Sequence, residues 1–139
     1  MAADKKVVRF GPFKNVVANA VQVGNLVYLS GQVSVDSAGN FVGVHDLAAQ
    51  VRQAYDNICE VLARLDASLD NVVDETWFLT DMKQFMDNFQ QIYAVREQAY
   101  GEIPSTTQTV VQVAALAMPE LMIEIKCIAY LDDDRFSSR

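Results

Sequence analysis

Few residues of this 139-residue chain have the type and spacing that chemistry needs. His45 is the only histidine, and it precedes Asp46 where an apolar-periodic stretch begins, a place for a solvent-facing loop residue. Any Ser-His-Asp arrangement would depend on it alone. The two cysteines, Cys59 and Cys127, lie far apart, so with one histidine no zinc-ligand spacing exists and no metal site is expected. Cys59 falls mid-helix by pattern and Cys127 inside an apolar strand, and both read as small buried hydrophobes in a reducing compartment. The glycines at 11, 24, 31, 39, 43 and 101 are scattered and form no phosphate-cradling loop or nucleotide fingerprint. A pair of charges in an apolar strand is more distinctive. Along Leu121 to Ile128 the odd positions are all apolar, while the even ones are Met122, Glu124, Lys126 and Ile128. Glu124 thus shares a half-polar face with Lys126, as its partner, as an interfacial charge, or as a carboxylate lining a cleft.

The elements that must position these residues follow from periodicity. Residues 1–15 are polar and mixed, and Gly11-Pro12 interrupts regular structure. Ala20 to Val23, Gly24-Asn25 and Leu26 to Ser30 read as a hairpin whose turn residues tolerate positive φ. Ala38-Gly39-Asn40 is a second turn before Phe41 to Val44. After Asp46, a candidate N-cap, Leu47, Val51, Ala54, Tyr55, Ile58, Leu62 and Leu65 form one apolar stripe on a helix of roughly 20 residues. Val72 to Thr80 reads as a strand. Asp81 and Gln84 resemble a capping box, opening a second helix with Phe85, Phe89, Ile92, Tyr93, Arg96 and Ala99 on one face. Gly101 closes that helix. Strands at 107–116 and 121–131 follow, then a polar tail over 132–139 beginning Asp132-Asp133-Asp134-Arg135. The order β-β-α-β-α-β-β predicts one α+β domain over 1–139, a mixed sheet with two helices on one face.

Composition bounds the rest. With 11 Lys+Arg against 18 Asp+Glu the net charge is −7, and 51% of residues are hydrophobic. An acidic chain without a basic stripe gives nucleic acid no phosphate-neutralising face. No apolar run approaches the ~20 residues of a membrane span, and the opening Met1-Ala-Ala-Asp-Lys-Lys is too polar for a signal peptide. A soluble cytoplasmic domain is expected. Two helices cover only one face of the sheet. The other also carries apolar residues, in Val72-Val73, Trp77-Phe78, Met122 and Ile128, which predicts a second copy of the chain against it.

The chain resembles the Rid family of reactive-intermediate deaminases, also called the YjgF family, over roughly Ala18 to Ala129. The matching pieces are Ala20-Val21-Gln22-Val23-Gly24-Asn25, Val27-Tyr28-Leu29-Ser30-Gly31-Gln32, Phe78-Leu79-Thr80-Asp81-Met82, Val111-Gln112-Val113-Ala114-Ala115-Leu116 and Ile123-Glu124-Ile125. The resemblance implies a chorismate-mutase-like fold and a homotrimer with small-molecule sites in the clefts between subunits. It also implies hydrolysis of 2-imino or 2-enamino acids to 2-keto acids and ammonia, without a metal or organic cofactor. An imine carbon is already electrophilic, so such a site needs a substrate anchor, an ordered water and a proton path. In the family a last-strand Glu holds the water and a Pro-Ala-Arg arginine holds the substrate carboxylate. Carried over residue by residue, the Glu falls on Glu124 and the motif serine on Ser30, beside Gly31.

The arginine is missing. Aligned back from Val111-Gln112-Val113 it falls on Gln108; aligned forward from Pro104 it falls on Thr106. No arginine stands between Arg96 and Arg135. The family aromatic before Ala-Val falls on Val17, unless Phe13 replaces it, the helix-two Asn on Gln90 and a frequent Cys on Val110. Ser30 and Glu124 are therefore the expected catalytic residues, and Phe13, Val17, Gly31, Gln90, Gln108, Thr109 and Val110 the expected substrate contacts, with Lys126 as the nearest substitute cation. Three accounts stand. One is an imine or enamine hydrolase whose substrate is larger, less anionic or held by another cation. The second is a binding trimer without turnover, serving as a sensor or as a partner of a metabolic enzyme. The third is a ribonuclease, the account least compatible with the net charge.

Overall fold

The computed structural model describes residues 4–131, so the polar tail over 132–139 lies outside the described residues. Among the described residues seven strands form one mixed sheet in the order β1-β2-β3-β7-β5-β6, with β4 also paired to β7. They are β1 (Lys6–Val8), β2 (Ala20–Val23), β3 (Leu26–Leu29), β4 (Gln32–Val33), β5 (Val72–Leu79), β6 (Thr107–Gln112) and β7 (Ile123–Tyr130). Helices α1 (Leu47–Ala63), α2 (Met82–Asp87) and α3 (Phe89–Tyr100) complete the α+β fold. β5 and β6 run parallel, as the intervening helices require, and every other pairing is antiparallel.

The capping and turn residues act as their types suggest. Asp46, in extended conformation, accepts a hydrogen bond from Ala49 N and starts α1. Its stripe of Leu47, Val51, Ala54, Tyr55, Ile58 and Leu62 is buried, as is Leu65 beyond the helix end. Gly24 at φ 58° makes the β2–β3 turn. Asp81 caps α2 through Gln84 N at 3.0 Å, and Gly101, left-handed at φ 79°, ends α3. The core lies between helices and sheet around Trp77, which stacks on Tyr93 and meets Phe85 edge-on. Burying each such side chain contributes about 1.5–3 kcal/mol.

Four expectations are corrected. The opening segment is not wholly irregular: Lys6–Val8 pairs with β2, because β2 offers an edge before Gly11-Pro12 turns the chain away. The second helix is two, broken at Asn88, whose φ of −121° is not helical and whose side chain bonds back to Gln84 O. Cys59 is exposed, since it falls outside the stripe of α1 that meets the sheet; Cys127 is buried, and burial pushes its thiol pKa up. The last strands are shorter than 107–116 and 121–131, because 113–122 form a connection after β6. Among the described residues no helix is long and apolar enough to cross a membrane.

The second sheet face is open. Alternation puts Ile123, Ile125 and Cys127 under the helices, while Glu124, Lys126 and Ile128 turn to the other side; Met122, expected there, precedes β7 and packs against the core instead. Next to them stand Tyr28 and Tyr130, both well exposed.

Candidate active site

Glu124 is positioned by a change in strand pairing. β7 pairs with β3 along Leu26 to Tyr28, then with β4 at Gln32 and Val33, so Ser30-Gly31 is an unpaired step between two ladders. Beside this step, Lys126 Nζ donates to the Leu29 carbonyl at 2.8 Å. Val33 stands opposite Glu124, which brings Gly31 against the glutamate side chain. A Cβ built on Gly31 would lie 2.6 Å from Glu124 Cδ and 2.8 Å from its Cγ, and closer still to Oε2. A side chain here would push the Glu124 carboxylate aside, and glycine lets it keep this position. The Glu124 side chain, half-buried, accepts no hydrogen bond from any described residue, which leaves its oxygens for an incoming molecule. The Ser30 hydroxyl is committed, donating to Ala18 O at 2.6 Å and tying the step to the chain before β2.

Gly31 also opens on a groove of about 400 Å³. The groove lies between the 10–17 segment, the Ser30–Val33 step, residues 35–37 and the outer end of α1. Phe13 and Val17 line it together with Ser30 and Gly31, so four expected site residues converge. Its opposite wall is Asn57, Glu60, Val61 and Arg64 of the α1 region. Asn57 holds the wall in place by donating to the carbonyls of Val33 and Val35 at 2.8 and 2.9 Å.

The remaining expected residues lie elsewhere. Gln108 pairs in register with Glu75 on β5 and faces the helices. There Glu75, wholly buried, accepts from Arg96 Nε at 2.6 Å, Tyr100 Oη at 2.7 Å, Tyr55 Oη at 2.9 Å and Gln108 Nε2 at 3.0 Å. Gln108 Oε1 in turn accepts from Tyr93. Burial and then the Glu75 charge push the tyrosine pKa values of Tyr55 and Tyr100 upward. For Arg96, burial works against the charge, but the Glu75 carboxylate prevails and raises its pKa. Arg96 Nη2 is buried without a hydrogen-bond partner, and its guanidinium carbon lies 5.6 Å from the Tyr100 ring centroid, within cation–π range. Val110 packs against the core beside this cluster, Thr109 turns to the open face opposite Thr76, and Gln90 is exposed on α3. Within one subunit, then, neither Gln108 nor Gln90 meets Glu124. Among the described residues no group of three or more His, Cys, Asp or Glu could hold a metal ion.

The buried cluster and the far wall of the groove were missed in the sequence. A signal for the first was present: Glu75 has the strand phase of Trp77 and Leu79, and Arg96 lies in the apolar stripe of its helix. A charge of each sign in inward phase on neighbouring elements points to a buried pair. Nothing local marks Arg64, because a groove wall is made by packing.

A family model described as Endoribonuclease L-PSP matches residues 8–131 of this fold. The chain belongs to this family, the YjgF/Rid family. A RutC family protein of Sulfurisphaera tokodaii is 38% identical over 84 residues, covering 60% of this chain and 63% of that protein. The mouse 2-iminobutanoate/2-iminopropanoate deaminase is 31% identical over 129 residues, 93% of this chain and 88% of its own length. Among solved structures, a YjgF-family protein of Mycobacterium tuberculosis superposes with a TM-score of 0.73 at 30% identity, covering 91% of this chain and 99% of that one. The YjgF/Rid architecture is thus the frame on which Glu124, Gly31 and the groove are mounted.

Proposed function

We propose that this YjgF/Rid protein hydrolyses a reactive imine or enamine to a carbonyl compound and ammonia. The observation that carries the reading is the Glu124 carboxylate, packed on Gly31 with no internal hydrogen bond, in a family that includes a 2-iminobutanoate/2-iminopropanoate deaminase. The reaction needs only water and proton transfer. A water held by Glu124 adds to the imine carbon while the carboxylate takes its proton. The carboxyl group returns that proton to nitrogen to give a carbinolamine; the carboxylate then carries the carbinolamine hydroxyl proton to the amino group, the C–N bond breaks, ammonia leaves and the carbonyl forms. Ser30 acts through structure, fixing the step that brings Gly31 to Glu124. With no arginine at Gln108 or Thr106, we infer a substrate preference shifted away from the smallest 2-imino acids. The exposed apolar sheet face supports assembly of a homotrimer, which would place the sites near subunit boundaries. A net charge of −7 gives an RNA backbone no favourable surface, so the ribonuclease account receives no support from electrostatics.

The test is ammonia release from imines generated in situ. Turnover by the wild type should fall about 100-fold in Glu124→Gln, the usual scale for a proton-transferring group. Equal rates in the two proteins would remove Glu124 from the mechanism. Robust turnover of 2-iminobutyrate and 2-iminopropionate would overturn the shifted preference.

A further inference from the structure

No arginine stands between Arg96 and Arg135, and two other candidate cations are spent. Lys126 is bound to the Leu29 carbonyl and Arg96 to the buried Glu75. Arg64 differs from both. It stands just beyond the last turn of α1, on the wall of the groove that reaches Ser30 and Gly31. Its guanidinium carbon lies 3.9 Å from the centroid of the Phe10 ring, a stacking contact that holds the group without consuming N–H donors. Those side-chain donors make no hydrogen bond to any described residue; the nearest carboxylate, Glu60, is 3.8 Å away and half exposed. The other acid on the groove, Asp36, already accepts from the backbone N–H groups of Ala38 and Asn40 at 2.9 Å. Arg64 is thus an anchored cation with free donors, and it is the only Lys or Arg on the groove wall among the described residues.

The remainder of the groove states what accompanies the anion. Phe10, Pro12, Phe13, Val17, Val33 and Val61 give it apolar walls, and Phe13 is 66% exposed, an aromatic face waiting for a partner. A cavity of about 400 Å³ is in the range of small-molecule sites and is far larger than a two- or three-carbon acid needs.

We propose that Arg64 is the carboxylate-binding residue of this groove, and that its ligand is a 2-imino acid, with the matching 2-oxo acid as product, carrying an aromatic side chain. The carboxylate displaces the loose Glu60 contact and takes a bidentate pair from the guanidinium. The ring of the ligand occupies the apolar wall by Phe13 and Val17. The inference rests on the deaminase reading for the identity of the reacting group, but the binding it describes can be read without turnover.

The probe is phenylpyruvate, titrated calorimetrically into the full chain, with phenylacetone as the neutral counterpart that has methyl in place of carboxylate. Wild type should bind phenylpyruvate saturably and more tightly than pyruvate. Arg64→Gln should weaken phenylpyruvate by about tenfold or more, the worth of a charge-assisted pair, and leave phenylacetone unchanged. Arg64→Lys should fall between, since an ammonium keeps the charge and loses the fork. Unchanged phenylpyruvate affinity in Arg64→Gln, an equal loss for phenylacetone, or no saturable binding to wild type overturns the proposal. Arg64-dependent binding without ammonia release from any imine would sink the deaminase reading and leave the anion site standing. Ammonia release from aromatic imino acids that ignores Arg64→Gln would do the reverse.

Discussion

Glu75 on β5 and Glu124 on β7 stand on adjacent strands, three rungs apart in register, and their carboxylates face opposite sides of the sheet. Each has a cation nearby, Arg96 for the first and Lys126 for the second. Glu75 is sealed under the helices and saturated by Tyr55, Tyr100, Arg96 and Gln108. Glu124 accepts nothing from the described residues, because Lys126 is turned to the Leu29 carbonyl and Gly31 offers no side chain. A saturated buried carboxylate has no lone pair left for a substrate and acts in stability and specificity of packing. An unsatisfied one, packed on a glycine that itself lines a groove, has lone pairs free for proton transfer. The contrast also explains the fate of Gln108. Its uncharged amide completes the Glu75 cluster, donating to Glu75 and accepting from Tyr93, and within one subunit it does not meet Glu124.

Substitutions at the two glutamates should therefore separate stability from activity. Glu75→Leu leaves Arg96 buried without its partner and should cost about 3–5 kcal/mol in chemical denaturation, with the double variant Glu75→Leu/Arg96→Met recovering much of it. If Glu75→Leu alone is as stable as wild type, the cluster is not a coupled unit. On the other side of the sheet, Gly31→Ala should leave stability within about 1 kcal/mol while reducing deaminase turnover by roughly 100-fold. The added methyl group pushes the Glu124 carboxylate aside. Combining it with Glu124→Gln should add little, since both act on one group; fully additive losses would mean that Gly31 works independently. A smaller effect is expected from Gln108→Arg, which sets a second guanidinium beside Arg96: stability should fall by about 1–2 kcal/mol with no gain on small imino acids. A gain would show that this strand position does reach the substrate.

The last prediction is silent near neutral pH. Tyr55 and Tyr100 titrate higher in the folded chain than the ordinary value of 10.0, owing first to burial and then to Glu75. A raised folded pKa means the stabilisation is complete below pH 10 and is lost as the pH rises beyond it, when only the unfolded chain releases those protons. Thermal melts should therefore be flat from neutrality toward pH 9.5 and fall above 10, and Tyr100→Phe should flatten that alkaline limb. An unaltered limb in Tyr100→Phe would exclude this tyrosine as its source.

Much of the frame was legible in local patterns. The α1 stripe from Leu47 to Leu65, the Gly24-Asn25 turn, the Asp46 and Asp81 caps and the alternation along Leu121 to Ile128 each follow from periodicity or from a side chain serving its own backbone. Short strands were not legible: Lys6–Val8 and Gln32–Val33 pair because β2 and β7 present edges to them, and three or two residues carry no period. Of the site, Ser30, Gly31 and Glu124 could be named by resemblance, but the serine's role could not. Its hydroxyl belongs to Ala18, a residue brought near only by the hairpin.

By itself, then, the order of residues determined an acidic α+β domain, the two faces of its last strand, and the lack of an arginine between Arg96 and Arg135. These depend on residue type, charge and a repeat of two or 3.6, all local properties. Tertiary structure decided which carboxylate is free. Glu75 and Glu124 are equivalent as letters in apolar strands. One became a buried anchor because Tyr55, Tyr100 and Arg96 arrive from helices 20 to 25 residues away along the chain. The other stayed open because Lys126 turns to the Leu29 carbonyl and the residue packed on its carboxylate, Gly31, has no side chain.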